Sequence, residues 1–74
     1  MATATLDTKG LNCPMPILKV KKAIKDMNAG ETLEVFATDP GAVRDFEAFS
    51  RATGNALIES DEEDGVFRFV LEHS

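Results

Sequence analysis

The order of apolar and polar positions predicts four strands in this chain. Alternation of small or apolar residues with polar ones, bounded by turn-forming residues, is typical of strands. It occurs over residues 3–8, 32–38, 56–60 and 66–72. In the last stretch Phe67, Phe69 and Leu71 fall on one side, and Asp64-Gly65 just before it is a hairpin signal. The last two strands are therefore expected to pair directly.

Two intervening stretches have helical periodicity. Residues 14–28 carry one inward apolar stripe, formed by Ile17, Val20, Ala23, Ile24 and Met27. The second helix is expected to start at Asp39-Pro40, because Asp caps free amides and Pro is tolerated at the first helical position. Its inward face comprises Ala42, Phe46, Phe49 and Thr53. Gly54 is expected to end it.

The order of these elements predicts one domain over residues 1–74. A βαβαββ order implies an α+β fold, a two-layer sandwich with two helices on one face of a four-stranded sheet. The chain has 74 residues, 43% hydrophobic and 28% charged, so one small core is the most it can bury. No apolar run approaches the ~20 residues that span a bilayer, and residues 1–10 contain no apolar stretch, so neither a membrane protein nor a secreted precursor is expected.

Charge and cysteine content narrow the class of protein further. The net charge is −5, with +1 over residues 1–37 and −6 over residues 38–74. Nucleic-acid binding is disfavoured, since it needs a broad basic surface and stacking aromatics. The single cysteine cannot form an internal disulfide, and Cys13 with His73 cannot build a structural zinc site. These features favour a reducing, cytoplasmic location.

The segment from Gly10 to Pro16 carries the candidate chemistry. Cys13 is expected at or beside the N-cap of the first helix, where the helix dipole favours an anion and lowers a thiol pKa. Pro14 and Pro16 have no amide hydrogen, which leaves Met15 as the main free amide of that turn, aimed at the sulfur. Gly10 ends the preceding strand.

Each candidate has a structural alternative. Cys13 could equally be a small buried hydrophobe. A thioredoxin-type motif is disfavoured because Pro16 stands where a resolving cysteine would be. His73 is expected to be solvated and not to pair with the thiol. The acidic run at residues 61–64 is expected to form a solvated turn without a metal.

The outer face of the first helix is expected to be charged and solvated, but one of its residues is apolar. With the apolar stripe inward, Leu18 points outward among lysines. An exposed leucine ringed by lysines, one turn from the thiol, would suit a protein partner. The candidate partner surface consists of Lys9, Leu18, Lys19, Lys22 and Lys25.

The chain resembles the TusA (SirA-like) sulfur-carrier family. The resemblance rests on Leu6-Asp7, Gly10-Leu11, Cys13-Pro14-Met15-Pro16, Gly30-Glu31, Asp39-Pro40, Asp45, Phe49, Gly54 and Phe67-Arg68-Phe69. It implies a mixed sheet, and it implies that Cys13 accepts a sulfane sulfur as a persulfide. Donors in the family are cysteine desulfurases or rhodanese-like proteins. In the family, the sulfur is then used in transfer-RNA thiolation, molybdenum-cofactor supply or sulfur oxidation.

The resemblance also implies what the site does not need. A carrier requires no metal, cofactor or general base, only a transient cysteine persulfide, and a monomer is expected. The sequence departs from common members at Thr8-Lys9, Asn12 and Asn55, the last standing where a His is frequent. The competing class is a regulatory or interaction module in which Cys13 is structural. A self-sufficient enzyme is disfavoured by the small pocket volume of so short a chain, although a sulfurtransferase label would suit a carrier.

Overall fold

A computed structural model of the chain describes residues 3–12 and 14–74; residues 1, 2 and 13 lie outside the described residues. The six elements are β1 (Ala4–Thr8), α1 (Met15–Lys25), β2 (Thr32–Ala37), α2 (Ala42–Thr53), β3 (Ala56–Glu63) and β4 (Val66–Glu72). This is the predicted βαβαββ order. No helix within the described ranges is long and apolar enough to cross a membrane.

The sheet is mixed, as the resemblance implied. Its strand order is β1-β2-β4-β3. β1 pairs with β2 in parallel, whereas β4 pairs antiparallel with both β2 and β3. A parallel pair needs a crossover connection, and α1 provides it. Both helices pack on one face of the sheet, so the predicted two-layer architecture is confirmed.

The core lies between the sheet and the two helices. Aligned positions of β2 and β4 supply the sheet side, with Val35 opposite Phe69 and Leu33 opposite Leu71, all four buried. The ring of Phe46 in α2 stacks on that of Phe69 with centroids 4.4 Å apart. Such a pair adds about 0.5–1.5 kcal/mol beyond the burial of its area. The inward stripe of α1 is confirmed by the burial of Val20 and Ile24.

The third strand is longer than predicted. β3 continues to Glu63, so most of the acidic run lies in a strand and the expected turn over residues 61–64 is wrong. Asp61 pairs with Arg68 of β4, and this pairing extends the strand without apolar alternation. The turn itself is confined to Asp64 and Gly65, whose φ values of 52° and 81° match the tight hairpin turn predicted there.

The helix starts also lie later than predicted. α2 begins at Ala42, because Asp39 forms a turn first: its carboxylate accepts from the Gly41 amide at 3.2 Å, and its carbonyl accepts from the Ala42 amide at 2.9 Å. Gly54 ends the helix as predicted, with φ 78° and its amide donating to the Ser50 carbonyl. Thr53 is exposed, so it does not belong to the buried face.

The expected extent of α1 was too long at its C-terminal end. The helix stops at Lys25, three residues before the predicted limit, and Met27 is half-buried in the segment that follows. The Asp26 and Met27 amides still donate to the Ala23 and Ile24 carbonyls, at 3.3 and 3.0 Å. These short-range bonds close the last turn in a tighter form than an α-helix.

Candidate functional site: the entrance to the first helix

The chain leaves β1 through a tight turn that fixes the start of the candidate loop. Gly10 has a φ of 83°, a left-handed conformation that residues with a Cβ rarely adopt. The Gly10 amide donates to the Thr38 hydroxyl at 2.9 Å, and the Leu11 amide donates to the Thr8 carbonyl at 3.2 Å. The loop is therefore anchored to the ends of β1 and β2, and β1 ends before Gly10 as the sequence predicted.

The expected role of Met15 as a free amide is wrong. The Met15 amide donates to the Asn12 carbonyl at 2.8 Å, so its hydrogen is already used. Pro14 stands at the cap position, and its carbonyl accepts from the Leu18 amide at 3.1 Å. Cys13 lies outside the described residues, so its position at the helix start stays a prediction.

The two prolines differ in their surroundings. Pro14 is exposed, whereas Pro16 is buried beneath the first turn of α1. The side chain of Met15 between them is 42% exposed. Pro14 and Met15 are therefore both accessible, whereas Pro16 also contributes to packing.

Four of the five predicted partner residues lie together on α1. Leu18 is 48% exposed, and Lys19, Lys22 and Lys25 are all exposed. α1 carries four lysines and no acidic residue, so its outer surface is basic. This helix therefore presents an exposed apolar side chain within a positive potential, as the sequence predicted.

Lys9 does not join this group. Its ammonium lies 3.1 Å from the Asp7 carboxylate and 5.3 Å from the centroid of the Phe36 ring, on the face of the sheet opposite the helices. The Lys9 amide also donates to Asp7 at 2.9 Å, and this bond, followed by the Lys9 side chain, holds the pKa of Asp7 below its usual range. The structure therefore separates Lys9 from the lysines of α1.

A groove between the two helices was not foreseen. It has a volume of about 340 Å³ and begins at Pro14. Its lining comprises Pro14, Ile17, Lys21, Asp45, Ala48, Phe49, Ala52 and Thr53. The small residues Ala48 and Ala52, one turn apart on α2, were the only sequence signal for it. It adds an apolar surface next to the candidate thiol segment.

The opposite face of the sheet holds an ion-pair network centred on Arg68. Its guanidinium binds the Glu34 carboxylate and lies 2.8 Å from Glu59 and 3.2 Å from Asp61. The hydrogen bonds that the guanidinium donates to the Glu59 carboxylate, and then to the Glu34 carboxylate, raise the pKa of Arg68. Within residues 3–12 and 14–74, no cluster of three or more potential ligand side chains is arranged to hold a metal ion.

Together these features define a class of protein: a small two-layer α/β domain with a Cys-Pro-Met-Pro segment at the entrance to a basic helix. The family model described as sulfurtransferase TusA matches residues 4–73. The sulfur carrier protein TusA of Allochromatium vinosum is 55% identical over 69 residues, which cover 93% of this chain and 91% of that protein. The chain belongs to the TusA family.

The fold agrees with a solved structure of a related protein. The crystal structure of a SirA-like protein from Desulfitobacterium hafniense matches with a TM-score of 0.83 and 25% sequence identity. The match covers 93% of this chain and 95% of that one. The two-layer sandwich is therefore shared across a wide sequence distance.

Proposed function

We propose that the protein is a persulfide carrier, which accepts a sulfane sulfur on Cys13 from a donor protein and delivers it to an acceptor protein. The observation that supports this most is the Cys-Pro-Met-Pro segment, placed where the chain enters a helix with four lysines and no acid. A positive potential stabilises both a thiolate and a persulfide anion. The name of the Allochromatium vinosum relative supports the same role.

The exchange is a pair of matched displacements. The Cys13 thiolate attacks the outer sulfur of the donor's persulfide, the donor's S–S bond breaks, and the donor thiolate leaves. Cys13 then holds the transferred sulfur as a persulfide, Sγ–S⁻. In the second step the acceptor thiolate attacks that outer sulfur, and the Cys13 thiolate is the leaving group. No electron is gained or lost overall, so we propose that no cofactor or metal takes part.

The partners are proposed from the same chemistry. A cysteine desulfurase or a rhodanese-like protein would supply the sulfur, and transfer-RNA thiolation, cofactor sulfuration or sulfur oxidation would consume it, all in the cytoplasm. We propose a monomer that docks through α1. There Leu18 supplies an apolar anchor, while Lys19, Lys22 and Lys25 attract partners with acidic rims.

Intact-mass measurement after sulfur loading tests the proposal. The protein is incubated with a desulfurase plus cysteine, and separately with a rhodanese plus thiosulfate. We expect one added sulfur atom with at least one donor, located by peptide mapping on the fragment that contains Cys13. Cys13→Ser should gain none. Loading that survives this substitution would overturn the proposal, and slow alkylation of Cys13 at neutral pH would favour a structural cysteine instead.

A further inference from the structure

The open face of the sheet, opposite the helices, is a large surface with no layer over it among the described residues. Strand alternation and the observed contacts place Thr5, Glu34 and Arg68 on it. Phe36, which pairs with Arg68 and contacts Lys9, lies on it as well. This face therefore combines a half-buried aromatic ring with charged side chains.

The two layers of the molecule carry opposite charge. α1 has four lysines and no acid, and α2 has two arginines and two acids. The strands together hold seven acidic residues and one arginine; one of the acids, Glu62, lies on the helix side, and Lys9 adds one further cation to the open face. Since the whole domain is only 17 Å across its shortest axis, the two surfaces are close in space but attract different partners.

A groove of about 400 Å³ opens on this face beside the β3–β4 hairpin. Phe36 and Val66 supply its apolar lining. The charged lining residues are Asp61, Glu63, Asp64 and Arg68. An apolar floor with a mostly acidic rim fits a side chain that has both an aliphatic stem and a positive head.

The arginine beside the groove pairs with one of the three acidic residues of its rim, Asp61. Arg68 already binds Glu34, Glu59 and Asp61. Among the residues that the structure describes, Glu63 and Asp64 form no ion pair and no side-chain hydrogen bond. The Phe36 ring contacts a cation of this chain, since the Lys9 ammonium lies 5.3 Å from its centroid, but the residues that line the groove do not include Lys9.

We propose that this groove is a second docking surface, which receives an arginine or lysine side chain from a basic segment of a partner protein. The strand register places the groove at the end of the sheet that is closest to the candidate thiol segment. Thr8 pairs with Ala37, and Ala37 pairs with Phe67, so the hairpin lies at the end where β1 leads into residues 9–12. A partner bound here reaches the same end of the domain as the candidate thiol segment.

The two surfaces would separate partners by charge. A partner with an acidic rim is attracted to α1 and repelled by the open face of the sheet, and a basic partner has the opposite preference. The inference goes beyond the proposed sulfur transfer. Binding to the groove is measured without any sulfur, so the two proposals can fail independently.

An NMR titration tests the groove. The labelled full chain carrying Cys13→Ser, which prevents oxidation, is titrated at low salt with a tetra-arginine peptide blocked at both ends. We expect saturable shifts at the amides of Phe36, Asp64, Val66 and Arg68. Glu63→Gln should weaken binding about two- to fivefold, the range for an exposed charge pair.

Glu62→Gln is the matched control. It removes the same charge from the next residue, but Glu62 pairs with Phe67 and lies on the other face of β3. With both variants also compared at physiological salt, where the Debye length is about 8 Å, it should leave the affinity within about 1.5-fold. Equal weakening by both substitutions, or shifts spread over all exposed acidic residues, would overturn the proposal. Concentration-dependent shifts at the same amides without peptide would assign the groove to a second copy of this chain instead.

The contribution of the aromatic floor is tested separately. Phe36→Leu keeps the floor apolar but removes the ring, and it should weaken tetra-arginine binding about twofold or more. The amide spectrum of this variant away from β2 reports whether the fold is retained. Unchanged affinity in a folded variant would show that the groove does not hold the side chain.

Discussion

The side-chain carbonyl of Asn55 accepts hydrogen bonds from both the backbone amide and the hydroxyl of Ser74, at 2.9 and 3.1 Å. Asn55 follows the glycine that ends α2, and its side-chain nitrogen Nδ2 donates to the Thr53 hydroxyl at 3.0 Å. The side chain is therefore fully engaged within the fold. Asn55, which stands where a His is frequent in the family, therefore has a structural role in this chain.

The segment around His73 is attached in the same region. Its amide donates to the Glu31 carbonyl, and its carbonyl accepts from the Gly30 amide, both at 2.9 Å. His73 was expected to be solvated; it is half-buried, and its ring nitrogen Nδ1 lies 2.7 Å from the Ser74 carbonyl. Residues 73 and 74 thus join the start of β2 to the turn before β3.

Asn55→Ala should lower the free energy of unfolding by about 1 kcal/mol, because it removes a buried side chain whose hydrogen bonds join Ser74 to Thr53. Urea denaturation at neutral pH measures this loss. Asn28→Ala is the control, since Asn28 is exposed and its hydrogen bonds to described residues are made by its backbone: the amide donates to the Glu31 carboxylate, and the carbonyl accepts from the Glu31 amide. If the two variants unfold at the same midpoint, the Asn55 side chain does not contribute to stability.

Substituting the two prolines of the candidate site should affect the stability of the fold and the rate of sulfur transfer to different extents. Pro14→Ala should change the free energy of unfolding by less than about 0.5 kcal/mol, because Pro14 is exposed. It should nevertheless slow sulfur transfer, since it loosens the chain beside Cys13. Pro16→Ala should cost about 1 kcal/mol or more, because it removes buried atoms. Urea midpoints and transfer rates are measured on both variants; normal transfer in Pro14→Ala would limit the prolines to a structural role.

The Asp7–Lys9 contact predicts a pH dependence. The lowered pKa of Asp7 means that its carboxylate stabilises the folded state above the pKa of the unfolded chain. This contribution is lost as the pH falls through the folded-state pKa. The stability difference between the wild-type chain and Asp7→Asn should therefore be constant near neutral pH and disappear in acid. A difference that persists at pH 2 would show that the substitution acts through something other than charge.

Much of the fold follows from local signals in the sequence. Gly54 and the Asp64-Gly65 pair were correctly placed because each needs a positive φ that few other residues adopt. The extension of β3 was missed, since Asp61 is held in the strand by pairing with β4 and by Arg68, not by an apolar pattern. The position of the Lys9 side chain on the open face of the sheet was not predicted, for a similar reason. Its contact with Phe36 depends on the pairing of β1 with β2, which no local pattern reports.

The α1 surface gives the most direct test of partner docking. Lys22→Glu combined with Lys25→Glu should reduce the rate of sulfur transfer from a donor protein about tenfold at low salt, because exposed charges act mainly on association. The difference should shrink at physiological salt, where the Debye length is about 8 Å. Alkylation of Cys13 by a small neutral reagent should change little.

Leu18→Ser should act on a different step. Covering a leucine contributes about 1–2 kcal/mol, so its loss should raise the dissociation rate of the complex about five- to thirtyfold and leave the salt dependence unchanged. Arg51→Glu is the charge control, because Arg51 is an exposed cation on α2 that does not line the groove between the two helices. Stopped-flow transfer assays and surface plasmon resonance measure the two rates. If Arg51→Glu slows transfer as much as the double lysine variant while Leu18→Ser has no effect, partners respond to overall charge and not to the surface of α1.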